Sequence, residues 1–80
     1  MTMTQTETLQ ADVKALVESV VMRTVEPGTP LIESGLVDSV LAVEIVMAVE
    51  AQFGARVPPT EIAEHLASVN ALAAYIQSTR

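Results

Sequence analysis

Apolar residues recur at three- and four-residue steps near the start of the chain: Leu9, Val13, Leu16, Val17 and Val20. That spacing marks one face of an α-helix, and Asp12, Lys14 and Glu18 fall away from it. The pattern predicts a first helix over about Thr8 to Arg23, with one face in a core. Thr4 with Glu7 matches a capping box, although Thr6 and Thr8 start a helix equally well. Met1 to Thr6 is Thr-rich and predicts a frayed end. From Thr24 to Asp38 the periodicity fails, broken by Pro27, Gly28, Pro30 and Gly35. Within this long connection Leu31, Ile32, Leu36 and Val37 are costly to leave in water, at up to ~1.5–3 kcal/mol each. Some of them are expected to pin the loop to the rest of the fold.

Helical periodicity returns from Ser39 to Phe53, and Gly54 is a stop signal. On the helical wheel Ala42, Ile45, Val46, Val49 and Phe53 form one apolar face, enough for the core. The opposite side carries Val40, Met47, Ala48 and Ala51 around a single Glu44, with Leu41 to one side. A helix apolar all round is normally buried all round. A chain of 80 residues cannot easily surround one, so Val40, Met47 and Leu41 are expected to stay partly exposed. Ala55 to Pro59 reads as a second loop, with Val57 as its anchor and Pro58-Pro59 extended. A short third helix is predicted over about Thr60 to Leu66, with Ile62, Ala63 and Leu66 pointing one way. Ser68 is placed as the N-cap of a fourth helix whose core stripe is Val69, Leu72, Ala73 and Ile76, with Tyr75 beside it. No strand-like alternation of useful length occurs. The fold class read from this pattern is all-α, a four-helix bundle of three longer helices and one short third helix, in a single domain over residues 1–80.

Composition narrows the function. Ten Asp and Glu stand against four Lys and Arg. This acidic balance repels phosphate backbones and argues against nucleic-acid binding, while favouring basic patches on protein partners. No run reaches the roughly 18 apolar residues of a membrane span, and no basic-then-apolar leader is visible. The cytoplasm is the expected compartment. There is no cysteine, and the one histidine, His65, cannot hold zinc alone, so no metal site is expected.

The chemistry-bearing stretch is Gly35-Leu36-Val37-Asp38-Ser39-Val40. Asp38 and Ser39 are both common N-caps, and either one tying off the following helix is the simplest reading. Three features favour more for Ser39. It follows a glycine-containing loop, it heads the helix with the surplus apolar face, and a helix N-terminus favours an anion. Nucleophilic catalysis lacks support, because a serine nucleophile needs a base and no G-x-S-x-G elbow surrounds this one. No catalytic residue is therefore assigned. Glu44 and Glu50 read as solvent-facing charges or contacts for basic partners, and Arg56 as a solvated loop residue.

This stretch resembles the attachment motif of acyl and peptidyl carrier proteins. The resemblance extends to Pro30-Leu31-Ile32-Glu33, the Glu44 to Phe53-Gly54 segment, Val57-Pro58, and Val69 with Leu72 and Ile76, so it covers nearly the whole chain. It implies a four-helix bundle with a long first loop. It also implies a free-standing monomeric carrier bearing 4′-phosphopantetheine, transferred from coenzyme A to Ser39 by a phosphopantetheinyl transferase, with Asp38 supporting attachment. Cargo would ride as a thioester, supplied by a loading enzyme (an adenylating enzyme or an acyltransferase) and used by downstream synthase or tailoring enzymes. Val40, Leu41, Glu44 and Met47 fall where such carriers touch their partners, and the resemblance also implies that Leu36 joins Ile45, Val46, Val49 and Phe53 in the core. Leu41, Ala51-Gln52 and the Pro58 to Ile62 segment depart from carriers of primary fatty-acid synthesis. They point to a polyketide, nonribosomal-peptide or related pathway, with an aminoacyl carrier of the D-alanyl type close behind. The alternatives are a fatty-acid carrier and a helical interaction module without a prosthetic group.

Overall fold

The computed structural model describes the backbone of residues 5–79 and the side chains of residues 8–79. Among the described residues four α-helices follow one another: α1 (Gln5–Val21), α2 (Ser39–Phe53), α3 (Ile62–His65) and α4 (Val69–Ser78). A 3₁₀ turn (Pro59–Glu61) leads directly into α3, and no strand occurs among the described residues. α1 packs against both α2 and α4, and α3 packs against α4. The all-α bundle with a short third helix and a long first loop is as the sequence pattern predicts.

The core follows the stripes. Leu9, Val13, Leu16 and Val17 of α1 meet Ala42, Ile45 and Val49 of α2 and Val69, Leu72, Ala73 and Ile76 of α4, all buried. Leu31 and Val37 from the first loop and Ala55 and Val57 from the second complete it. Val25, another buried loop residue, has no helical pattern around it to mark it. The first loop is ordered by backbone bonds. The Leu31 N–H donates to the Ala67 carbonyl at 3.0 Å, and the Asn70 N–H donates to the Pro27 carbonyl at 3.0 Å. The Val37 N–H returns to the Leu31 carbonyl at 3.0 Å, closing the stretch just ahead of α2.

Several boundaries and faces differ from the sequence reading. α1 is already helical at Gln5, the first described residue, and stops at Val21, whereas the sequence reading ran from about Thr8 to Arg23. The Thr4–Glu7 capping box lies outside the described residues. Pro59 opens a 3₁₀ turn instead of extending the loop, because its fixed φ suits the first turn of a helix and its missing N–H costs nothing there. Val46, Phe53 and Leu36 are half-buried, packed against the core rather than within it, and Ala48 joins them instead of lying on the outer side. Glu18, off the α1 stripe, has a structural role. Its carboxylate accepts from Lys14 Nζ and from the Val25 N–H, each at 2.7 Å, tying the first loop back to α1. The bond from Lys14, and then that from Val25, hold the Glu18 carboxyl below its ordinary range.

α1 ends on Met22, whose φ of 58° lies in the left-handed region and whose side chain is 87% exposed. Its N–H bonds the Glu18 carbonyl at 2.8 Å, the work a glycine usually does at this position. A Cβ in that conformation costs about 1–2 kcal/mol, and glycine's extra freedom in the unfolded chain offsets part of the gain. Met22→Gly is therefore expected to stabilise the protein by about 0.5–1 kcal/mol. A rise in urea midpoint with an unchanged slope is the check, and a lower midpoint contradicts it.

Candidate functional site

Loop, helix and capping bond together place a bare hydroxyl at the head of α2. Gly35 adopts a φ of +82°, a conformation that side chains other than glycine strain to reach, and so turns the chain toward α2. Val37 is buried and fixes the last residue but one before the helix. Asp38 then takes an extended conformation (φ −94°, ψ −175°), and its Oδ1 accepts from the Leu41 N–H at 2.8 Å. The choice between two capping residues left open by the sequence is thereby decided: Asp38 is the N-cap. Ser39 is the first residue of the helix, it is exposed, and its hydroxyl makes no hydrogen bond among the described side chains. First-turn amides have no partner inside a helix, and the helix dipole adds positive potential there. A phosphodiester on Ser39 fits that end, while the Asp38 carboxylate beside it stays exposed and hydrated.

On α2, Val40, Val43 and Met47 lie three and four residues apart and form a continuous outer strip. They are 67%, 51% and 66% exposed. Exposed Glu44 and Glu50 flank the strip. Leu41 is half-buried against the core, so it gives this face less than the sequence reading allotted to it. Val43 was missing from that reading. It is the middle of the i, i+3, i+7 series from Val40 to Met47, and that series was the available signal.

A groove of about 440 Å³ opens beside Ser39. Ile32 from the first loop, Val43 from α2, Pro59 from the 3₁₀ turn and Ile62 and Ala63 from α3 line it, with Asp38 and Ser39 at its polar end. Ile62 is half-buried and packs against the core, Ala63 is exposed, and both line this groove.

His65 is partly packed. Its ring stacks on Tyr75 at 3.7 Å between centroids, and its Nε2 lies 2.8 Å from Glu61 and 3.6 Å from Glu64. The Tyr75 hydroxyl donates to the Arg56 carbonyl. With Nε2 already taken by Glu61, this group fastens α3 to α4 and to the second loop. Gln10 and Asn70 form a similar side-chain bond between α1 and α4.

A small helical bundle presenting an exposed serine at the head of an apolar-faced helix has the form of a carrier domain. The family model of the phosphopantetheine attachment site matches residues 11–76, and the chain belongs to that family. It is a carrier protein for covalently attached 4′-phosphopantetheine. A comparison with curated proteins finds no match. Carrier domains of this kind work with a phosphopantetheinyl transferase and with synthase enzymes. No helix among the described residues is long and apolar enough to cross a membrane.

Proposed function

We propose that Ser39 carries the 4′-phosphopantetheine arm, that Asp38 supports the attachment, and that the chain acts as a single carrier domain holding acyl or aminoacyl groups as thioesters. One observation carries this assignment: the Ser39 hydroxyl is in water at the first position of α2, and the capping that often occupies such a serine is done by Asp38. The chemistry on the cargo belongs to other enzymes. The transferase adds the arm, and a loading enzyme and downstream synthase or tailoring enzymes charge it and use the thioester.

Docking is assigned to the outer strip of α2, with Val40, Val43 and Met47 as apolar anchors and Glu44 as a steering charge. A strip this apolar, with only Glu44 and Glu50 beside it, supports a polyketide, nonribosomal-peptide or related dedicated pathway over primary fatty-acid synthesis. The cytoplasm is the proposed compartment.

Incubation with coenzyme A and a broad-range transferase tests the reading. It predicts a mass gain of one phosphopantetheinyl group. An unmodified protein, under conditions that label a control carrier, overturns it. The docking face has its own test. Met47→Asp removes an exposed anchor and is expected to lower the transferase kcat/KM about tenfold, through KM, equivalent to ~1.4 kcal/mol. The helical circular-dichroism signal should not change. Loss of that signal would mean that Met47 faces inward.

A further inference from the structure

We propose that Met47 is a reversible oxidation site, and that its sulfoxide weakens docking at α2 without loosening the fold. Such regulation acts on the outer strip of α2 and rests on the docking role assigned to that strip.

The chain has no cysteine, so methionine thioethers are the only sulfur of the polypeptide itself. Met22 and Met47 are the methionines among the described side chains, and both are exposed. The buried core of the described residues is made of leucine, isoleucine, valine and alanine, with no methionine in it. An oxidant therefore meets sulfur on the surface and none in that interior.

The two exposed methionines differ in their surroundings. Met47 continues the strip begun by Val40 and Val43, with exposed Glu44 and Glu50 at its sides. Met22 stands past the end of α1, in the left-handed conformation, and is no part of α2. Oxidation of Met22 changes the polarity of an isolated surface residue. Oxidation of Met47 changes an anchor where apolar contact supplies the affinity.

Hydrogen peroxide is the oxidant. The thioether sulfur attacks one peroxide oxygen, so that an S–O bond forms and the O–O bond breaks. The proton on the transferred oxygen passes to the departing one, which leaves as water. Sulfur gives up two electrons and the peroxide takes them. The product is polar and accepts hydrogen bonds, whereas the thioether is flexible and apolar. On the free protein water satisfies the sulfoxide, so α2 keeps its packing. Beneath a docked partner the same oxygen loses its water bonds and gains none from an apolar surface. A thiol-dependent reductase restores the thioether, as two thiols become a disulfide and the oxygen leaves as water.

The test uses apo protein treated with hydrogen peroxide, with the peroxide then removed by catalase and the added oxygens located by peptide mass spectrometry. Met22 and Met47 should each gain one oxygen. The transferase kcat/KM should fall about fivefold, through KM, while the helical circular-dichroism signal and the urea midpoint stay unchanged. Sulfoxide reductases with dithiothreitol should restore the rate. Met22→Leu should lose as much rate to peroxide as wild-type protein, whereas Met47→Leu should stay within 1.5-fold of its own untreated rate. Equal loss in Met47→Leu overturns the proposal, as does a helical signal lost on oxidation or a Met47 left unoxidised while Met22 is converted. An unchanged rate with Met47 fully oxidised overturns it alone if Met47→Asp still slows the transferase. If Met47→Asp has no effect either, the docking role of the strip falls with it. Absence of any mass gain from coenzyme A overturns the carrier reading beneath both.

Discussion

Ser39→Ala should gain no mass with coenzyme A and transferase, while wild-type protein is converted completely. Phosphoryl transfer to a carrier needs an oxygen nucleophile on the carrier, and alanine has none, so the loss is total rather than graded. The fold should survive it. Asp38 supplies the capping bond to the Leu41 N–H, and the Ser39 side chain is exposed and touches nothing that the core needs. Alanine is also the better helix former. The stability change is therefore expected within about 0.5 kcal/mol by urea unfolding, as for most exposed positions away from caps and cores. That separation gives the mutant its diagnostic value. A folded protein without label implicates the hydroxyl, whereas an unfolded one implicates only the helix. A mass gain on Ser39→Ala would move the attachment to another hydroxyl and end the assignment.

The same junction shows where residue pattern suffices and where it stops. Helices of this length declare themselves by periodicity, and the stripes of α1, α2 and α4 pack as their spacing implies because burial of those faces is the main driving force available. Capping was ambiguous at Asp38-Ser39, since both side chains do that job and only backbone geometry chooses between them. Val43 sat between the two recognised faces of α2, and only the packing of α1 on the opposite side settles that it points outward. The groove was not legible at all. Its walls come from Ile32, Val43 and Ile62, which are separated along the chain and brought together by the first loop folding over the α3–α4 junction. Val25 was missed for a related reason. One apolar residue in a loop has no period, and the bond its N–H makes to Glu18 is visible only in the folded chain.

Accessible serine and apolar docking strip depend on a loop that has no regular structure of its own. Leu31 is its deepest anchor, with no exposure, and both of its backbone polar groups are used: the N–H toward Ala67, and the carbonyl by Val37. Leu31→Ala is therefore expected to cost about 2–5 kcal/mol, the range for emptying a buried leucine site. A domain of this size has only about 3–5 kcal/mol to lose. Much of the mutant population should be unfolded at 25 °C, with a depressed helical signal and a urea transition that begins without a native baseline. Labelling of Ser39 should fall in proportion to the folded fraction, if the transferase docks on folded α2 rather than on the motif as a peptide. Methionine at position 31 offers the complementary test, because it restores volume at a cost below about 1.5 kcal/mol. Leu31→Met should recover both the native baseline and the labelling. Full labelling of an unfolded Leu31→Ala protein would show that the bundle is dispensable for presenting the serine. Loss of labelling in a fully folded Leu31→Met protein would show that the transferase reads the first loop directly.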